Sequence, residues 1–294
     1  MRSPVFTGVC PALVTPFHES GGVNYDVFAQ LIESQLAAGA DALCVCGTTG
    51  ESATLTDRER AALIDFCVAQ VGGRAPVIAG TGSNSTAKAA EASLQAQALG
   101  ADALLVVTPY YNKATQEGLR RHYETVAERV DLPIILYNVP SRTGLSCTAE
   151  TYAALARDSR INGVKEASGD FSLITHTLAL CPPDFTVWSG NDDQVVPMMA
   201  LGAKGVVSVA CNLVPEVMVR LSHLCLEGDF PAAARLQTAY ADLMDALFIE
   251  VNPIPVKAAM KLLGMEVGLP RLPLCPPSPA HLKLLRQVLA EHEL

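Results

Sequence analysis

Lysine is scarce in this chain of 294 residues, with seven in all, and several familiar features are missing. No run reaches the ~18 apolar residues of a membrane span, and the first ten residues hold no apolar signal core. No membrane association is therefore expected. A basic stripe is also lacking. The net charge of −9 and a pI near 5.1 argue against nucleic acid or an anionic membrane surface as partner. Nine cysteines form an odd, scattered set without Cys-x-x-Cys. Cys10, Cys44, Cys46 and Cys211 fall inside strand-like runs, where a free thiol behaves as a small hydrophobe. A reduced, cytoplasmic setting is expected. The six histidines show no ligand spacing, so no metal centre is expected either. Low-complexity segments and flexible linkers are absent from the pattern.

What is present is a large apolar fraction, 50%, enough for one barrel-sized core. Short β-rich runs recur at residues 9–14, 42–46, 76–80, 103–107, 133–137, 162–165, 185–188 and 205–209, with helical patterns between them. Near-continuous apolar strands alternating with helices indicate a parallel sheet covered on its outer face. Eight such units predict a closed (β/α)8 TIM barrel rather than an open sheet. A partial repeat agrees: Ala38-Gly39-Ala40-Asp41, Leu99-Gly100-Ala101-Asp102 and Leu201-Gly202-Ala203-Lys204 each precede a strand, with a glycine suited to ending a helix. Beyond Glu227 the pattern is helical only, at 231–248, 255–263 and 279–292, with a Pro-rich connector at 269–278. The expected organisation is a catalytic barrel over 1–225 and a C-terminal helical appendage over 226–294.

Chemistry in such barrels gathers at the C-terminal ends of strands. Lys165 stands there, near the end of the sixth run. Loss of hydration disfavours an ammonium, and a neutral amine is a nucleophile toward carbonyl carbon. The alternatives are a side chain snorkelling to water or pairing with Glu166. The other strand ends carry Gly47-Thr48-Thr49-Gly50-Glu51, Gly80-Thr81-Gly82, Thr108-Pro109-Tyr110-Tyr111-Asn112, Tyr137 through Gly144, Gly190-Asn191-Asp192 and Val207. Neighbouring strands lie about 4.8 Å apart, so the Tyr137 phenol is within reach of Lys165. Glycines flanking Thr48 and Thr49 let backbone N–H groups approach a carboxylate, or else serve as plain turn residues. Arg142 offers a planar fork for a second carboxylate, or pairs at the surface. Tyr110 and Tyr111 fit either catalysis or an aromatic interface. Gly80-x-Gly82 is a weak phosphate-loop signal.

Gly47-Thr48-Thr49-Gly50-Glu51-Ser52, Tyr137 to Gly144 with Arg142, Val164-Lys165-Glu166 and Asn252-Pro253-Ile254-Pro255-Val256-Lys257 together resemble the dihydrodipicolinate synthase family, within the pyruvate-dependent class I aldolases that include N-acetylneuraminate lyase. The resemblance spans essentially the whole chain, and Thr49 and Arg142 favour the synthase branch over a sugar-acid aldolase or neuraminate lyase. It implies a lyase acting in diaminopimelate and lysine biosynthesis. Lys165 would form an imine with pyruvate, whose enamine attacks L-aspartate 4-semialdehyde to give 4-hydroxy-tetrahydrodipicolinate. Thr48, Tyr137 and Tyr111 would relay protons, Tyr111 coming from the adjacent subunit. By the same resemblance Thr48 and Thr49 would hold the pyruvate carboxylate, Gly190 and Val207 would line its pocket and Arg142 would hold the semialdehyde carboxylate, with Asn252 a contact near the mouth. No cofactor is implied, and the usual assembly is a homotetramer of two tight dimers.

Feedback-sensitive relatives bind L-lysine at positions matching Ser52, Ala53, Asp57, Arg60, Asn84, Lys88 and Tyr110. They carry histidine at the first two charged positions (sometimes glutamate at the second) and glutamate at that of Lys88. Here two cations, Arg60 and Lys88, replace them. Weak or absent inhibition by lysine is the expectation. Asn191 also departs from the aspartate common in the family.

Overall fold

The computed structural model describes residues 2–294. All eight expected strands form: β1 Gly8–Pro11, β2 Leu43–Val45, β3 Val77–Gly80, β4 Ala103–Val107, β5 Ile134–Asn138, β6 Ile161–Glu166, β7 Thr186–Ser189 and β8 Gly205–Ser208. They pair in parallel in the order β1-β8-β7-β6-β5-β4-β3-β2. A single bridge from Ala12 to Cys44 spans the seam between β1 and β2, with Leu13 N–H donating to the Cys44 carbonyl at 3.0 Å. The result is a (β/α)8 barrel, as the alternating pattern required.

Local chemistry places the helices. Asn24, Thr56, Thr115, Thr148, Asp170, Asp229 and Ser278 each accept an N–H from the first turn of the helix they precede. Such caps satisfy donors that the helix itself leaves free. Thr56 forms a full capping box with Glu59. The three repeat glycines all have positive φ, 89° at Gly39, 87° at Gly100 and 119° at Gly202.

Side chains divide into two shells. Cys10, Cys44, Ile78, Leu105, Ile135 and Trp188 fill the barrel interior, while the larger core lies between strands and helices. Trp188, the register partner of Lys165 on β7, stacks on Phe6 at 5.1 Å and donates to the Phe6 carbonyl at 3.2 Å. Cys46 would share the face of Cys44 in a regular strand, since side chains alternate. Instead its φ of 56° turns it into the outer core. That turn delivers residues 47–50 to the rim.

Helices Phe230–Ala239, Ala241–Ala246, Ile254–Leu262 and Pro279–Glu291 follow the barrel. The expected continuous helix over 231–248 is broken at Tyr240, which has φ −112° and ψ 13° and stacks on His292 at 4.6 Å. A tertiary contact coincides with the break that periodicity did not reveal.

Candidate active site

Tyr137 on β5 and Lys165 on β6 are register partners, so their side chains enter the barrel side by side. Lys165 Nζ lies 4.3 Å from the centre of the Tyr137 ring. The lysine is 5% exposed, and among the described residues its ammonium has no salt bridge. Pairing with Glu166 is ruled out by strand geometry, because adjacent residues point to opposite faces. Glu166 instead faces outward, where its carboxylate accepts from Tyr152 Oη at 2.9 Å, Asn138 Nδ2 at 3.0 Å and Ser168 N–H at 2.9 Å. Burial holds its carboxyl above the usual range, while the bonds from Ser168, Asn138 and Tyr152 oppose the shift.

Above Lys165 opens a cavity of about 140 Å³. Its walls include seven of the expected residues: Thr48, Thr49, Tyr137, Arg142, Lys165, Gly190 and Asn252. The volume is well below the roughly 300–1,000 Å³ of drug-sized sites and suits a small keto acid. A larger open depression of about 870 Å³ lies beside Arg120, Arg157 and Arg160, near the starts of β5 and β6. Its charges largely pair with one another, as in Arg120–Glu124 and Arg160–Asp158, and it contains none of the expected residues.

Each wall residue is placed by a local cause. Gly190 is required by crowding, because an added Cβ would lie 2.6 Å from Ala167 Cβ and 3.1 Å from Lys165 Cε. The short helix Pro140–Thr143, begun by a proline, presents Arg142. Arg142 Nη2 donates to the Asn252 carbonyl at 3.1 Å, and Asn252 Nδ2 donates to Thr49 Oγ1 at 3.0 Å. Asn252 thus joins the two loops expected to hold carboxylates. Gly80 and Gly82 have a packing explanation: a Cβ there would meet Cys46 O at 2.1 Å or Val107 N at 2.4 Å.

Two expected residues lie apart. Val207 sits in the barrel interior, and the cavity wall near β8 is Val209. Tyr111 is 91% exposed, at a φ of 70°, and does not line this chain's cavity. Residues that sequence reasoning did not assign to the cavity also line it, among them Ser141, Val209 and Phe248, together with Asn191. Val209 is fixed by Asp192, whose Oδ2 accepts the N–H groups of Val209 at 3.0 Å and Ala210 at 2.8 Å. Burial raises the Asp192 carboxyl above its usual range, opposed by the N–H of Ala210 and by other bonds.

Comparison with known proteins decides the family. The profile of the Dihydrodipicolinate synthetase family matches residues 5–292. The chain belongs to this family. A protein named 4-hydroxy-tetrahydrodipicolinate synthase from Acetivibrio thermocellus is 49% identical over 294 residues, covering all of both chains. The crystal structure of a dihydrodipicolinate synthase from Aquifex aeolicus superposes with a TM-score of 0.96 at 46% identity, covering 98% of this chain and 99% of that one. A lysine-bound family structure from Cyanidioschyzon merolae gives a TM-score of 0.96 at 42% identity, covering 99% of this chain and all of that one. Family membership and the barrel agree with the motif reading. Among the described residues no helix is long and apolar enough to cross a membrane.

Proposed function

We propose that the chain condenses pyruvate with L-aspartate 4-semialdehyde to give 4-hydroxy-tetrahydrodipicolinate, in diaminopimelate and lysine biosynthesis. The observation that carries this is Lys165: a desolvated amine without a carboxylate partner, facing Tyr137 at the floor of a small cavity. Lys165 Nζ attacks C2 of pyruvate and water leaves, forming the imine. The protonated imine nitrogen is the electron sink, so the methyl group loses a proton to give an enamine. That carbon bonds to the aldehyde carbon of the second substrate, whose oxygen takes up a proton. The semialdehyde's amine then attacks C2, displaces Lys165 and closes the ring.

Tyr137 and Thr48 move these protons, and the narrow cavity limits water at the imine. Thr49 and the turn at 47–50 hold the pyruvate carboxylate, Gly190 and Val209 shape its pocket, and Arg142 takes the carboxylate of the semialdehyde. The exposure of Tyr111 supports its serving the site of a neighbouring copy, within a homotetramer of two tight dimers. Pyruvate is bound covalently as substrate, and no cofactor takes part. The enzyme works in the cytoplasm, with residues 1–225 as the catalytic barrel and 226–294 as its helical appendage.

Borohydride reduction with pyruvate, followed by peptide mass analysis, tests the imine. A stable adduct on Lys165, absent in Lys165→Ala, is the expected result. Turnover of aspartate semialdehyde should exceed that of sugar-derived aldehydes; the reverse preference overturns the substrate assignment.

A further inference from the structure

Lys257 is one of the most deeply buried side chains, on helix Ile254–Leu262 of the C-terminal region. Its Nζ lies 2.8 Å from Glu51 Oε1, with side-chain exposures of 1% and 0%. It also donates to the Thr15 carbonyl at 3.1 Å and the Leu269 carbonyl at 3.3 Å, and stands 4.4 Å above the Phe17 ring. The other Glu51 oxygen accepts the Arg271 N–H at 2.8 Å. Both charges are therefore fully partnered.

Buried ion pairs contribute little net stability, because desolvation offsets their attraction. Burial lowers the Lys257 pKa, and Glu51 opposes that shift. A pair of this kind is best understood through what it fixes. Glu51 follows directly on the turn at 47–50 and has a φ of 55°, a conformation that non-glycine residues keep only where surroundings enforce it. Its N–H donates to the Thr48 carbonyl at 3.0 Å, and Thr15 Oγ1 holds the Gly50 carbonyl at 2.6 Å. The same tail segment carries Asn252, which holds Thr49 Oγ1.

We propose that Lys257 is a positioning residue for pyruvate: its buried ion pair with Glu51 fixes the turn on which the pyruvate carboxylate rests. The proposal depends on the assignment of that turn and of Lys165 given above. It makes the C-terminal region part of pyruvate recognition, acting from a position that never touches substrate. Arg142 bonds to the Asn252 carbonyl and to neither Lys257 nor Glu51, so loss of the pair should weaken pyruvate more than semialdehyde.

The full-length wild type is compared with Lys257→Met, Glu51→Gln and the double variant Lys257→Met/Glu51→Gln. Adduct at Lys165 is titrated with pyruvate under borohydride, and KM is measured for both substrates. The double variant, which buries no lone charge, should keep the wild-type circular dichroism. Its half-trapping pyruvate concentration should rise about tenfold, equivalent to about 1.4 kcal/mol, with KM for the semialdehyde changed less than about threefold. Glu51→Gln retains the side-chain volume and should show the same selectivity if the lysine variants fail to fold. A folded double variant, or Glu51→Gln, with wild-type pyruvate titration overturns the proposal, as does an equal loss for both substrates. A wild type that yields no adduct overturns the imine assignment itself, and the positioning role with it.

Discussion

The Lys165 amine lies over the face of the Tyr137 ring, 4.3 Å from its centre, because the two residues are paired across β5 and β6. Replacing Tyr137 with phenylalanine keeps this packing and removes only the hydroxyl. Proton transfer by a positioned side chain contributes about 10²–10⁴-fold. Tyr137→Phe should therefore lose about 10²-fold or more in kcat at unchanged thermal stability, with borohydride still labelling Lys165. Wild-type kcat would remove Tyr137 from the proton relay.

The next register pair, Asn138 and Glu166, faces the other way and ties the same strand ends to Tyr152. Glu166→Ala would leave the buried Tyr152 Oη and the half-buried Ser168 N–H without their acceptor, while Asn138 Nδ2 keeps only Ser146 Oγ at 3.1 Å. Buried unsatisfied groups cost about 1–3 kcal/mol each, and partial rebonding will recover some of this. A loss of roughly 2–5 kcal/mol is expected, read as a lower urea midpoint at constant slope. An unchanged midpoint would show that this cluster does not support the strand ends.

Strand alternation already contained the answer to one open alternative. Residues 165 and 166 could not share a face, so Lys165 and Glu166 could never pair within a regular strand. The eight strands were legible because apolar runs and repeat glycines are local signals. Tyr137 and Lys165 were legible because adjacent parallel strands bring their ends together. The ion pair of Glu51 and Lys257 was not, since the partners are separated by 206 positions and a helical lysine reads as exposed. Cys46 misleads for another reason: its positive φ breaks the alternation that would place it inside. Asp192 fixes Val209 through backbone N–H groups, which leave no side-chain motif to read.

Gly190 is tested by adding one methyl group. A Cβ there would lie 2.6 Å from Ala167 Cβ and 3.1 Å from Lys165 Cε, so the lysine or its strand end must move. Displacements near 1 Å can cost about 10²-fold in rate. Gly190→Ala should lower kcat/KM by roughly that factor, with circular dichroism unchanged. Wild-type kinetics would mean that the lysine tolerates the shift.

His122 gives the fold an acid sensitivity away from the cavity. Its Nδ1 lies 2.9 Å from Thr86 Oγ1, while Nε2 is buried without a partner. Burial lowers its pKa from the usual 6.5 to about 4. The folded state thus binds fewer protons than the unfolded state between those values, and stability falls as pH drops through that window. The loss from this group should reach at most about 3 kcal/mol by pH 4. Denaturant titrations between pH 7 and 4 should show a slope that flattens in His122→Gln. An identical slope in the variant would assign the acid sensitivity to the carboxylates instead.

Inhibition by L-lysine is the regulatory question left by the charged positions. Arg60 Nη2 donates to the Ser52 carbonyl at 3.3 Å, and Nη1 lies 3.7 Å from Asp57 Oδ1. Asp57 is therefore partly engaged by a cation, and Lys88 is exposed on helix Thr86–Ala98. A lysine ligand brings two ammonium groups. The region offers it two like charges where the resemblance to sensitive relatives calls for a histidine and a carboxylate. A difference of a few kcal/mol corresponds to roughly several hundredfold in affinity. Half-inhibition should lie above the millimolar range, if it occurs at all, in a dose–response curve at saturating pyruvate. The double variant Arg60→His/Lys88→Glu should shift that curve to lower lysine. Sub-millimolar inhibition of the wild type would show that these cations do not govern the site.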